Sequence, residues 1–365
     1  ETMKMVGFGS LLASGGDSAL GGGGGGGRVA IHCLTCEDDS AKDTLSSLSV
    51  LGGISSHQDF GPGGPGTLYE TWHSNGGNQM NKLTLDHNRR SIESVSSTQL
   101  LHKSGIIDIG IIVLLGGAEL TIVSDNIAEE RPVLMTFKKL DGDGTGLFSL
   151  DRFATVTPLV ESPWILTGKV QVLEGGELKF GYGMDLQLRG ISSLSVLGRF
   201  TFKNNHAPTI TTINGTCDFL AGSRAQSETE LASAQTGAYE EWTHHFKAIN
   251  ILGGRVTLPG SGRVFVENLV DVVFWGVLRV EDGLELSVQS LTCGTTGSSL
   301  ITTIEWYGFA KLKVSDTITL RDSCIVNGKA NGYSELSGPW GLSSEQSKLT
   351  VDLNGCGATH AGIGG

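Results

Sequence analysis

The sequence predicts an all-β fold, a right-handed parallel β-helix (β-solenoid) with glycine-rich ends and loop inserts. Three observations carry that expectation: glycine concentrated at both ends of the chain, a strand outline that recurs between them, and a near absence of amphipathic helical windows. Glycine accounts for 54 of 365 residues, about twice the usual share, while 39% of the chain is still hydrophobic and only 18% charged. The composition therefore supports an extensive core and excludes a flexible linker.

From about residue 105 to residue 325, short β-rich runs follow turns that carry glycine. Leu115–Ile122, Leu173–Phe180, Leu252–Leu258 and Glu281–Val288 each read as a hydrophobic residue, a glycine turn and then alternation, with Leu197–Phe202 a shorter version. A period of two places one set of side chains inside and the other in solvent, which is a strand signature. The best helical candidate is the window Ser227–Lys247, with Glu228, Glu230, Leu231, Ala232, Tyr239, Glu240, Glu241 and Trp242. A sandwich and a propeller compete with the solenoid. Irregular spacing, only 8 prolines and glycine turns between strands favour stacked coils, whose corners accept inserts of any length. The expected organisation is a glycine-rich block with first coils at 1–70, solenoid coils at 71–325 with inserts at 137–153 and 222–248, and a second glycine-rich block at 326–365 that leads to a next repeat or subunit.

Gly9–Asp17, the seven glycines Gly21, Gly22, Gly23, Gly24, Gly25, Gly26 and Gly27 running into Arg28–Ile31, and Gly63–Tyr69 follow one another in that order. This order resembles the glycine-rich β-helix repeats of very large secreted or cell-surface proteins, in which a glycine run ending in G-G-R-[IV]-A-I precedes G-G-P-G-T-[LIV]-Y. Ile325–Tyr333 and His360–Gly365 resemble the opening of another such block, although Ser334–Lys348 holds less glycine than the pattern. The resemblance covers roughly residues 7–70 and 324–365. It implies an adhesive or wall-associated structural role without catalysis. The glycine ends, Gly21–Gly27 with Gly362, Gly364 and Gly365, are the expected assembly residues, because only glycine lets extended backbones approach so closely.

A net charge of −12 with scattered Lys and Arg argues against a nucleic-acid partner. The longest apolar run, Ile106–Leu115, is broken by Asp108 and Gly110 and falls short of the ~20 residues of a membrane helix. Six cysteines and one sequon, Asn214-Gly215-Thr216, favour an extracellular or cell-surface setting with a glycan on Asn214.

The segment Asp141–Arg152 resembles an EF-hand calcium loop. Asp141, Asp143 and Thr145 occupy positions one, three and five, Gly146 six, the Leu147 carbonyl seven and Ser149 nine, so Ca2+ is the one cofactor considered. Arg152 stands where the bidentate Glu belongs, and Pro132 with β-branched residues disfavours an entering helix. The competing reading is a tight acidic turn between strands. Cys33 and Cys36 are half of a zinc site and read better as a disulfide or buried pair. His244 and His245 read as a solvated face of a polar insert. Asp185, Asp271, Glu281, Asp282 and Glu285 would serve a polysaccharide hydrolase or lyase if two of them met across coils, at ~5–9.5 Å for glycoside hydrolysis. Trp164, Trp242, Trp275, Trp306 and Trp340 would stack on sugars if exposed in one groove, and would support a structural role if in the core. The expected function is thus a non-enzymatic fibre or adhesin unit that self-associates and meets cell-surface glycans. The alternative is a secreted carbohydrate-active or glycan-binding β-helix protein.

Overall fold

The computed structural model describes residues 9–32, 45–56, 63–73, 79–87, 98–102, 105–124, 133–151, 153–203, 207–220, 223–227, 243–260, 262–308 and 310–329. It is a parallel β-solenoid of about 8 turns, 65% strand, with no helix among the described residues. Ser227 and Thr243–Phe246, which fall in the best helical window of the sequence, lie in strands. Tertiary pairing with the neighbouring rungs overrides the local helical pattern there. Two compact units divide the chain: Glu1–Val160 with Thr167–Gly176, and Glu161–Leu166 with Glu177–Gly365.

The second unit shows how the coil is made. Each coil lays down a strand on each of three faces. The first face is represented by Glu177–Phe180 and Arg199–Phe202, the second by Leu186–Arg189 and Thr209–Ile213, and the third by Ser193–Val196 and Thr216–Phe219. Identical positions pair in parallel one coil later: Glu177 with Arg199, and Arg255 with Val277, each 22 residues on. Farther along, Gly262–Val273 and Leu284–Cys293 run through the first and second faces without a break, bent by register shifts after Val266 and Val288.

Between Thr209 and Ala248 the step lengthens to 39 residues, as it does between Thr216 and Arg255. The first face uses the surplus for one strand more than the other two: Arg224–Ser227 and Thr243–Phe246 stack in succession, joined at Ala225 and His244.

Parallel register puts like positions above one another, so the core consists of columns. Leu178, Phe200, Ala225, His244, Val264 and Leu286 form one inward column. Phe rings cluster around Phe200 and beside the column: Phe180 and Phe200 lie 4.6 Å apart, and Phe219 and Phe246 5.2 Å. Burying each such side chain contributes roughly 1.5–3 kcal/mol. Cys293 and Cys324 are joined by a disulfide across the final described coils.

Corners obey a rule of their own. At five successive exits from the second face the residue has a left-handed backbone: Gly190 (φ 61°), Asn214 (63°), Gly253 (81°), Phe274 (49°) and Gly294 (93°). Glycine and asparagine tolerate that region, whereas a bulky side chain such as that of Phe274 is strained there.

In the first unit, Thr98–His102, Glu119–Ser124, Leu147–Leu150 and Lys169–Val172 stack in parallel, as do Gly105–Leu115, Val133–Gly142 and Ala154–Pro158. Thr67–His73 and Gln79–Asp86 instead pair antiparallel. Only five residues, Ser74–Asn78, connect them, far fewer than a parallel crossover needs.

Phe274→Asn is expected to raise stability by roughly 1 kcal/mol by relieving its left-handed strain, whereas Gly253→Ala, whose Cβ would run into Asn214 and Trp275, lowers it. Urea midpoints check both, and a loss of stability in Phe274→Asn would contradict the corner rule.

Candidate functional site

Two regions of the first unit and one of the second gather the groups that the sequence singles out. The glycine run is built into a bundle of extended backbone. Gly24 N–H donates to the Gly16 carbonyl at 2.8 Å, Gly26 N–H to Gly64 at 2.9 Å and Gly27 N–H to Ala13, while the Gly24 carbonyl accepts from Gly53 N–H at 2.7 Å. Its partners thus lie on three separate segments, where a sheet would supply two. Extended chains with a three-residue repeat spread their donors in this way. A Cβ on Gly15, Gly23, Gly26, Gly53 or Gly63 would collide with neighbouring backbone. Gly16 and Gly25 have open space instead. The expected assembly run is therefore engaged largely by its own chain; Gly362, Gly364 and Gly365 lie outside the described residues.

The acidic turn sits between two strands, Val133–Gly142 and Leu147–Leu150, where an EF-hand loop has helices. Asp141 takes the Lys139 ammonium at 2.6 Å and Gly142 N–H at 2.9 Å, and the lysine holds its carboxyl below the usual range. Asp143 accepts from Gly116 N–H at 3.0 Å and from both the N–H and the hydroxyl of Thr145, whose Oγ1 in turn accepts from Gly117 N–H at 2.8 Å. Leu147 already pairs its N–H with the Ala118 carbonyl, and Ser149 is buried. The oxygens of Asp141, Asp143 and Thr145 thus tie the turn to its own lysine and to residues 116–117. Among the described residues no group of three His, Cys, Asp or Glu is placed to hold a metal ion.

In the second unit, Asn214 occupies a left-handed corner and is exposed, its Oδ1 accepting from Trp275 Nε1–H at 2.7 Å. Trp275 is 51% exposed, whereas Trp164 and Trp306 are in the core, the latter donating to the Ala310 carbonyl. Trp242 and Trp340 lie outside the described residues, as do Cys33, Cys36 and Cys356. Cys217 is a free, buried thiol, pushed up strongly by burial.

The histidine pair does not form a solvated face. Alternation along Thr243–Phe246 sends His244 into the core, where its Nε2 lies 3.1 Å from Ser223 Oγ, and sends His245 outward to Glu267 at 3.0 Å. His245 stands at one end of an outward groove of about 640 Å³ with Phe265, Glu267, Ser287, Gln289, Lys313 and Ser315. Neither the sequence motifs nor their spacing marks this groove, because its members come from four strands at unequal intervals.

The acidic residues project from different parts of the coil. Asp271 is on the second face, half-buried and raised by that burial against the pull of Arg321; Glu285 is on the first face, paired with Lys313 and lowered by it. Glu281 and Asp282 fall at the corner before Leu284. Asp185 precedes the second-face strand and accepts Thr209 N–H. Among the described residues no helix is long and apolar enough to cross a membrane. Comparisons with protein-family models, curated proteins and solved structures gave no match.

Burial pushes the His244 imidazole down to about 4, against ~6.5 in an unfolded chain. Between those values the unfolded state binds a proton that the folded state refuses, so stability falls as pH drops from about 6.5 towards 4 and is unaffected by this group above that window. His244→Leu is expected to remove up to about 1.4 kcal/mol per pH unit of that slope. Denaturation midpoints from pH 7.5 to 4 check this, and equal slopes in the two proteins would contradict it.

Proposed function

We propose that this chain is a non-catalytic structural unit of an extracellular fibre or adhesin, a β-solenoid that extends by stacking further coils from a tandem unit or another copy. One observation carries the reading. The inward columns continue into the last described coil, and there Ile318, Leu320 and Val326 are 45%, 55% and 38% exposed. Their counterparts one coil earlier, Leu291, Cys293 and Ile304, are buried. An apolar column that reaches the last described coil with exposed side chains gains by accepting one more rung, from the residues that follow in this chain or from another unit.

Other features support the same reading. Trp164 and Trp306 serve the core. The Cys293–Cys324 disulfide suits an oxidising, extracellular setting, and Asn214 is accessible for a glycan. A Cβ on Gly16 or Gly25 would meet nothing among the described residues, which leaves room for backbone from another unit. Because the acidic turn is already satisfied by its own hydrogen bonds, stacking is proposed to need no Ca2+.

Electron microscopy of the purified chain is expected to show filaments that survive a chelator and that are lost in Ile318→Lys/Leu320→Lys. Gly16→Val/Gly25→Val is expected to keep the fold and weaken assembly, whereas Gly53→Val/Gly63→Val disrupts the glycine bundle itself. Dispersed monomers from the wild-type chain at every concentration would overturn the reading and favour the alternative, a secreted carbohydrate-active β-helix protein.

A further inference from the structure

The groove begun by His245 lies where the first face turns into the second, in the second unit. Its axis is a register column: His245 pairs with Phe265, Phe265 with Ser287 and Ser287 with Lys313. Glu267 and Gln289 stand beside it at the two register shifts, both exposed, and Val266 and Val288 supply a buried apolar floor. Four rungs span about 14 Å along the column at the usual strand spacing.

We propose that this groove binds a neutral, extended oligosaccharide. Phe265 is the one apolar side chain of the outward column and is 40% exposed, between an imidazole and a hydroxyl. An aromatic face left in solvent at the centre of a polar groove suits a ligand with an apolar face and a polar rim, which is the character of a pyranose ring. Ser287, Gln289, Ser315 and Glu267 supply hydroxyl, amide and carboxylate partners around it.

Charge and openness narrow the ligand further. Lys313, the cation of the lining, is paired with Glu285 at 2.7 Å, and the Glu267 carboxylate lies 3.0 Å from His245 Nε2, so no isolated cation selects a polyanion. Arg263 and Lys311 belong to the neighbouring column, on either side of Glu285. Compact ligands take enclosed pockets that bury most of their surface. This groove is open along its length, so affinity must accumulate over several rings. An extended peptide that binds by strand addition needs a free sheet edge. Here Phe265 and Ser287, at the centre of the groove, lie on strands paired on both sides, and only Lys313 and Ser315 belong to the last described strand of that face.

The site stands whether or not units stack, and its test uses dispersed protein. Titration calorimetry with hexaoses of β-1,4-linked glucose, mannose and N-acetylglucosamine is expected to find at least one that binds, with affinity rising from the disaccharide to the hexaose. Phe265→Ala is expected to weaken binding at least tenfold and Phe265→Trp to retain it. Gln289→Ala, at an exposed position, weakens binding severalfold and serves if Phe265→Ala unfolds. Absence of binding by all three hexaoses at millimolar concentration would overturn the proposal. So would equal affinity in the variants, or a salt-sensitive preference for hexagalacturonate.

Discussion

The coils of this structure depend on parallel pairing of their strands with counterparts one coil away. That pairing fixes register, and register converts a sequence of short strands into columns of like residues. Leu178 over Phe200, and Val264 over Leu286, are consequences of one constraint repeated, not of separate packing decisions. The same constraint works outward, where it assembles the groove from four strands that are far apart in sequence. A one-residue slip would exchange the two sets and expose the core.

Two devices let the coil keep that register. Left-handed residues turn the chain off the second face at the same place in successive coils, and extra length is discharged at a corner or spent on an added strand, as at Thr243–Phe246. At the start of the chain, glycine takes over from side chains: removing the Cβ at the points of closest approach lets four extended segments meet backbone to backbone, held by hydrogen bonds where the rest of the molecule uses apolar columns.

Much of the fold was legible in the sequence because its signals are local. Each recurring outline of glycine turn and alternation proved to be a corner followed by a strand, as in Leu173–Phe180 and Leu252–Leu258. The site was not legible, since its signals are relations between coils. Steps of 20, 22 and 26 residues link His245, Phe265, Ser287 and Lys313, and no fixed period reveals them. The acidic turn shows the reverse: Asp141, Asp143 and Thr145 fit a ligand pattern locally, yet Gly116 and Gly117, 27 and 28 residues earlier, take up oxygens of Asp143 and Thr145. His244 was misread because alternation on an unexpected extra strand decided its fate.

The central claim, that coils stack in this register, is tested most directly by paired cysteines on the outward second face. Gln187 and Thr211 are register partners, about 4.8 Å apart at the usual spacing and within disulfide range. The account predicts that Gln187→Cys/Thr211→Cys cross-links rapidly under mild oxidation, while Gln187→Cys/Ile213→Cys, displaced by two residues, does not. Preferential cross-linking of the displaced pair would contradict it.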